Sequence, residues 1–396
     1  MTHQKDIVIA GAVRTAIGTF GGSLKDHSGS DLATIVVREA FERARVDPAS
    51  AQHIVIGNVI QCEPRDMYVS RVAGLNAGMA RHSAALTLNR LCGSGLQAII
   101  TAANAIQLGD AEIAVGGGVE TMSRAPYVMQ TGRWGNRMGD AKLLDMLLGA
   151  LNDPFGAGHM GVTAENVADH YRISREDQDA FAAESQRKAL AAIDAGHFKS
   201  QIVSVDIRNR NGVACFDTDE HPKPGTSAET LAGLKPAFRK ESGTVTAGNA
   251  SGLNDGAAAC ILMSAETASR ANIAPLARLI SYAVAGVEPS MMGIGPVPAV
   301  QLALKRAGLS LDDMDVIESN EAFAAQALGV CRGLDLDPAR TNPNGGAIAL
   351  GHPLGASGTI ITVKCLHELI RTGKRYGLVT MCIGGGQGIA AIFERL

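Results

Sequence analysis

Apolar positions follow two periods along the chain. Residues 7–10, 54–58, 86–88 and 113–115 form short, nearly continuous apolar runs, the pattern of strands covered on both faces. Between them, residues 32–44 place Leu32, Ile35, Val36 and Ala40 on one helical face, with Asp31 as the expected N-cap. The pattern then recurs. Residues 40–58 read as helix, a Val46-Asp47-Pro48 turn and a strand ending at Asn58. Residues 303–320 read as helix, a Leu309-Ser310-Leu311 turn and a strand ending at Asn320. Val300, Ala303, Leu304 and Ala307 share one face of that second helix. Gly93-Ser94-Gly95 is matched by Ala356-Ser357-Gly358, and Val115-Gly116-Gly117-Gly118 by Ile383-Gly384-Gly385-Gly386, in the same order and roughly 265 residues later. Two copies of one α/β domain follow from this, with helices packed on mainly buried sheets.

Residues 120–245 have a different texture. Arg133, Trp134, Arg137 and scattered glycines suggest exposed, irregular chain. A long helix then opens on a Ser174/Asp177 capping box and stops at Gly196, after Ala195. Past residues 244–256, residues 257–263 read as one more buried strand of the first copy. The expected division is 1–120 with 246–272 for the first α/β domain, 121–245 for an inserted loop domain, and 273–396 for the second α/β domain.

Composition narrows the possibilities. Hydrophobic residues make up 46% of 396 residues, enough for a large core. With 36 Lys+Arg against 39 Asp+Glu and only 4% aromatics, no basic patch with stacking rings is available for nucleic acid. No run approaches a membrane span in uninterrupted apolar length, and the polar start before residue 7 lacks the flanks of a signal segment. The ending Glu394-Arg395-Leu396 is not a peroxisomal address. Seven cysteines, widely spaced and without a Cys-x-x-Cys, support neither a disulfide frame nor a metal site. A reducing cytoplasm fits this usage.

Four segments carry candidate chemistry. In Asn89-Arg90-Leu91-Cys92-Gly93-Ser94-Gly95, a strand leads into an Ala-rich helix over residues 96–108, so Cys92 falls at a helix start, where unpaired N–H groups favour a thiolate. In Gly351-His352-Pro353-Leu354-Gly355-Ala356-Ser357-Gly358, a glycine-rich loop presents His352 as a base before a helix at residues 359–370. Cys382 stands between the strand at residues 377–381 and Gly384-Gly385-Gly386, whose N–H groups can form an anion pocket. Asn320, in Asn320-Glu321-Ala322-Phe323-Ala324, ends a strand and can orient an oxyanion or a water. Each has an ordinary reading when taken alone: a buried thiol, a turn histidine, a thiol before a tight turn, a helix cap. No phosphate-binding glycine pattern of the P-loop or dinucleotide type is present. Together, two thiols, an imidazole and an amide at strand–helix junctions suit acyl transfer through a thioester with proton removal beside a carbonyl.

These segments, with Arg14-Thr15-Ala16-Ile17-Gly18 and Val245-Thr246-Ala247-Gly248-Asn249-Ala250-Ser251-Gly252, resemble the thiolase family over essentially the whole chain. The nearest likeness is to bacterial biosynthetic acetyl-CoA acetyltransferases, the β-ketothiolases. The resemblance implies a thiolase-like α/β fold of two pseudo-symmetric domains with mixed sheets and an inserted loop domain. It implies reversible condensation of two acetyl-CoA to acetoacetyl-CoA and CoA, with longer 3-ketoacyl-CoAs as further substrates. Cys92 would carry the acetyl group and His352 would take its proton. Cys382 would remove the α-proton of the second acetyl-CoA. His352 and a water on Asn320 would hold the enolate oxygen, and the N–H groups of Cys92 and Gly384 the tetrahedral oxyanion. Coenzyme A would contact His159, Met160, Lys223, Leu234, Phe238, Ala247, Ser251, Met292 and Phe323. Lys223 stands where close relatives carry Arg, which removes a planar stacking group from the adenine end. CoA thioesters would be substrates, with no separate cofactor or metal. A homotetramer is the usual assembly, and residues 124–137 are a candidate contact. Three other functions fit less well: a degradative 3-ketoacyl-CoA thiolase of β-oxidation, a decarboxylating ketoacyl synthase (against which Cys382 speaks), and a non-catalytic acyl-CoA binder.

Overall fold

The computed structural model describes residues 5–209 and 212–396; the first four residues of the polar N-terminus lie outside it. The strands that organise the chain are β1 (Ile7–Thr15), β2 (His53–Gly57), β3 (Ala84–Leu88), β4 (Ile113–Thr121), β5 (Asn254–Ser264), β6 (Ala277–Gly286), β7 (Val316–Ser319), β8 (Tyr376–Ile383) and β9 (Gln387–Arg395). They line up as β7-β8-β9-β6-β1-β5-β4-β2-β3. The two halves meet where β1 pairs with β6 through Val8 and Ile9. β2 runs parallel to β4 and β7 parallel to β8, while β5 and β9 close each half antiparallel. The two halves thus share one topology. β3 has a vestigial mate in the second half, an isolated parallel bridge from Ile317 to Thr341.

The helices used below are α1 (Gly29–Ala44), α2 (Val69–Asn76), α3 (Ser94–Leu108), α4 (Met160–Tyr171), α5 (Arg175–Asp194), α6 (Pro296–Ala307), α7 (Ala324–Leu334) and α8 (Leu354–Thr372). Side-chain alternation along the strands sorts the layers. In β1, Ile7 and Ile9 join Leu96, Ile99 and Ile106 of α3 and Ile360, Val363 and Leu366 of α8 in the central core. Val8, Ala10 and Val13 point the other way, onto α1 and α2. The outer face of the second half-sheet packs on α6 and α7 through Ile317, Leu378 and Ile392. Five layers result, helices–sheet–helices–sheet–helices, with α3 and α8 side by side in the middle. The segment Leu91–Leu108 is long and apolar enough to cross a bilayer by composition; here that apolarity is used between the two half-sheets.

Three details differ from the sequence expectation. Ser28, not Asp31, caps α1: its Oγ accepts from the Asp31 N–H at 3.1 Å, and Asp31 lies in the first turn. α8 begins at Leu354, so Gly355-Ala356-Ser357-Gly358 is helix and not loop. Ladder register also corrects the third repeat match. Gly57 faces Gly118 as Ser319 faces Thr380, so Gly116–Gly118 correspond to strand residues of β8 and not to the glycine run after it.

The intervening segment is largely irregular up to α4, and Trp134 is 87% exposed. α5 has the expected box, with Ser174 Oγ accepting from the Asp177 N–H at 3.0 Å, and Gly196 beyond Ala195 takes φ +71°. This segment is tied to β1 by a fully buried pair: Arg14 donates to Asp219 at 2.7 and 2.9 Å. β5 then enters between β1 and β4.

Candidate active site

Asn320 and Cys382 stand at strand ends, Cys92 in a strand-to-helix turn, and His352 in the short link between a helical turn at Ala347–Leu350 and α8. β7 stops at Ser319 and Asn320 follows; Cys382 is the penultimate residue of β8. Asn320 caps no helix, since α7 starts at Ala324 behind Phe323. The turn from β3 to α3 carries Cys92 between Leu91, held at φ +46°, and Gly93. Ser94 Oγ fixes this turn by accepting from Arg90 N–H at 2.8 Å and donating to Leu91 O at 2.7 Å. A Cβ on Gly93 would lie 2.5 Å from Ile383 Cδ1. Only glycine lets the Cys92 turn press this closely on the end of β8, next to Cys382.

One cavity of about 430 Å³ is lined by Cys92, His352, Cys382 and Gly384 together. The N–H groups of Gly384 and of Cys92 itself donate toward the Cys92 sulfur. His352 is buried and held on three sides. Its N–H donates to Asn254 Oδ1 at 2.9 Å, its Nδ1 lies 2.6 Å from Ser357 Oγ, and Asn320 Nδ2 donates to its Nε2 at 3.4 Å. Ser357 spends its only hydrogen on Pro353 O at 2.9 Å. Nδ1 must therefore carry the ring proton, and Nε2 keeps its lone pair. Asn320 Oδ1 is buried without a hydrogen-bond partner among the described residues.

Burial sets the resting charges. It pushes the Cys92 thiol up to about 11, despite the two N–H donors that pull the other way. Desolvation outweighs the depression expected at a helix start, and Cys92, which precedes the cap Gly93, lies outside α3. Burial, reinforced by neighbouring Cys92, also drives the Cys382 thiol well above its ordinary range. Burial pulls His352 down to about 4. At neutral pH the site holds two thiols and a neutral imidazole whose Nε2 carries no proton and accepts, at 3.4 Å, from the Asn320 amide. It is built to pass protons and to meet an anion with N–H groups.

Of the residues expected at coenzyme A, His159, Met160, Lys223, Phe238, Ala247, Ser251, Met292 and Phe323 line the same cavity. His159 stacks on Phe238 at 4.7 Å, and Phe238 meets Phe323 edge-on at 6.0 Å. Leu234 does not line it: 40% exposed, it lies against Gly248. Asn320 also stands behind the wall, reaching the site through His352. The wall includes Leu91, Met122, Leu148, Leu151, Leu354 and His221, which the sequence patterns did not single out. Ser357 stands within the His352 motif, one turn into α8; its contacts, like those of His221, follow only from the fold.

Comparison with known proteins decides the family. The model of the thiolase N-terminal domain matches residues 7–266, and that of the thiolase C-terminal domain matches residues 273–395. The chain belongs to the thiolase family. A relative over the full length is beta-ketothiolase BktB of Cupriavidus necator, 61% identical over 99% of this chain and 100% of that protein. The acetyl-CoA acetyltransferase of Pseudomonas aeruginosa is 52% identical over 99% and 100%. Among solved structures, human mitochondrial 3-ketoacyl-CoA thiolase superposes with a TM-score of 0.97 at 46% identity, covering 99% of this thiolase and 100% of the other. The mixed-sheet, two-copy architecture is that of the thiolases.

Proposed function

We propose that this thiolase is an acetyl-CoA C-acetyltransferase, joining two acetyl-CoA reversibly into acetoacetyl-CoA and CoA. The observation that carries the reading is the convergence of Cys92, Cys382, the His352 ring and the Gly384 N–H on one apolar cavity. Proton accounting follows from the resting charges. As Cys92 Sγ attacks the first thioester carbonyl, His352 Nε2 takes its proton; the tetrahedral oxygen sits on the N–H groups of Cys92 and Gly384. Collapse expels CoA thiolate, which takes the Cys382 proton. The Cys382 thiolate then removes an α-proton from the second acetyl-CoA. Its enolate oxygen is met by the protonated Nε2 of His352, with Asn320 behind it. The enolate carbon attacks acetyl-Cys92, and the departing sulfur recovers its proton from His352. Every group ends as it began.

Coenzyme A is assigned to His159, Met160, Phe238, Ser251, Met292 and Phe323, with Lys223 toward the adenine end. The relatives at 61% and 52% identity are named a beta-ketothiolase and an acetyl-CoA acetyltransferase, which supports acetyl transfer between CoA thioesters; the biosynthetic direction, with supply of polyhydroxyalkanoate precursors, is the proposed role. The leucines and methionine of the wall favour acceptance of 3-ketoacyl chains longer than four carbons in thiolysis. A cytoplasmic homotetramer is the proposed form, its contacts drawn from the exposed Tyr127, Trp134, Met138 and Leu143. The test is mass spectrometry after incubation with acetyl-CoA, with thiolysis rates for 3-ketoacyl-CoAs of increasing length. An acetyl adduct on Cys92, lost with activity in Cys92→Ala, is expected; a fully active Cys92→Ala overturns the reading.

A further inference from the structure

The half-sheets correspond residue by residue through their parallel ladders. Gly57 pairs with Gly118 where Ser319 pairs with Thr380. One residue past each β2 or β7 partner stands an asparagine, Asn58 or Asn320. Two residues past each β4 or β8 partner stand Glu120 and Cys382. The first half therefore holds an Asn58–Glu120 pair where the second holds Asn320 and Cys382.

Glu120 is fully buried, and no Lys, Arg or His pairs with it among the described residues. Four donors surround its carboxylate. Oε1 accepts from Ile60 N–H at 3.0 Å and from Asn58 Nδ2 at 3.2 Å. Oε2 accepts from Val59 N–H at 3.1 Å and from Gly355 N–H at 2.7 Å. Gly355 is the second residue of α8 and the third after His352. The approach is so close that a Cβ on Gly355 would lie 2.8 Å from Oε2 and 2.8 Å from Val119 O. Ile60 and Leu354, on either side of this clamp, belong to the small apolar cluster that backs Cys92.

We propose that Glu120 is a positioning residue of the reaction: as a carboxylate at the N-terminus of α8, it locks the segment carrying His352 to the strand ends that back Cys92. The inference rests on the acyltransferase reading above. The physical reason is the donor set. As placed, all four neighbours give protons, so a protonated carboxyl either turns a hydrogen toward a donor or turns the Asn58 amide away from Ile60 O and Val119 O to reach its Oδ1, and in both cases bonds are lost. The favourable interaction with the α8 dipole is lost with the charge.

Burial raises the Glu120 carboxyl to about 7, with Asp66 adding to the rise. The other ionisable groups around it are Cys62 and Cys92, both pushed up to about 11 and neutral near pH 7. The clamp therefore forms as pH rises through about 7 and loosens below it. Stability moves oppositely. A carboxyl raised above its unfolded value disfavours the folded state once ionised, so the fold gains from Glu120 protonation as pH falls. Opposed trends in activity and melting temperature separate a positioning clamp from a simple structural contact.

The experiment compares wild type, Glu120→Gln and Gly355→Ala, by thiolysis of acetoacetyl-CoA from pH 5.5 to 9 (a range set about the Glu120 value) and by thermal melting. Glu120→Gln is expected to lower kcat by about 10- to 100-fold with little change in KM, and to abolish the acidic limb near 7 without lowering the melting temperature. Gly355→Ala, which forces the carboxylate away from α8, should give the same kcat loss with the limb displaced. Wild-type kcat and an unchanged acidic limb in Glu120→Gln overturn the proposal. Should that variant fail to fold, a wild-type profile without a limb near 7, or a fully active Gly355→Ala, overturns it instead. Acetyl loading of wild-type Cys92, measured in parallel, tests the underlying reading separately.

Discussion

Ser357→Ala isolates the device that fixes the catalytic tautomer. Ser357 Oγ lies 2.6 Å from His352 Nδ1 and gives its hydrogen to Pro353 O at 2.9 Å. Removing the oxygen strands a buried Nδ1–H. The cost of an unsatisfied buried donor is about 1–3 kcal/mol. The ring can avoid that cost by moving its proton to Nε2, which then faces the Asn320 amide and can no longer take the Cys92 proton. Either outcome withdraws the base from the first step. At about 1.4 kcal/mol per tenfold, kcat/KM should fall about 10- to 100-fold. Stability should fall by no more than about 1–3 kcal/mol, the cost of the stranded donor, because the lost serine-to-Pro353 bond is one back-bond in the first turn of a 19-residue helix. The assay is the burst of Cys92 acetylation, followed by quench and mass spectrometry, beside steady-state thiolysis of acetoacetyl-CoA. Both should slow together, since the proposed base His352 serves the acylation step. An acetylation burst within twofold of wild type would refute the tautomer argument.

Cys382→Ser should still acetylate Cys92 yet lose about 100-fold or more in exchange of the acetyl methyl protons with solvent, measured by NMR in deuterated buffer. Phe238→Ala removes the ring stacked on His159 and edge-on to Phe323; KM for CoA substrates should rise about tenfold while kcat stays within threefold. Arg14→Met leaves Asp219 buried with only backbone help from Ile17 N–H at 2.8 Å. The melting transition should fall by an amount equivalent to about 3–5 kcal/mol.

What could be read in advance was what repeats locally. The strands at residues 54–58 and 113–115, the α5 capping box and the Gly196 stop depend on neighbours in sequence, and the structure has them. So does the strand after the intervening segment, because an 11-residue, wholly buried β5 is conspicuous in any linear pattern. The start of α8 was hidden: Gly355 and Gly358 read as loop residues, and only contact with β4 and α3 shows why small residues are needed inside that helix. The direction of the Cys92 shift was misjudged for the same reason. A helix-start argument sees the dipole, which is local, and misses the desolvation supplied by residues distant in sequence, such as Ile60, Met122 and Leu354.

The proposed reaction also needs both copies of the repeat at once. Cys92 comes from the first, and His352, Asn320 and Cys382 from the second. A duplicated domain with identical halves would offer two equivalent clefts, each lacking a partner. Here the equivalent strand ends have diverged in charge. Burial keeps Cys382 neutral at rest, which suits the proton carrier proposed above. Glu120, at the matching position, surrounds itself with four donors and holds the helix of the opposite half. A thiol at 120 could not bridge Val59, Ile60 and Gly355 together, and a carboxylate at 382 would face the Cys92 sulfur with like charge during acyl transfer. The two halves therefore cannot exchange these residues without losing both the clamp and the proton carrier.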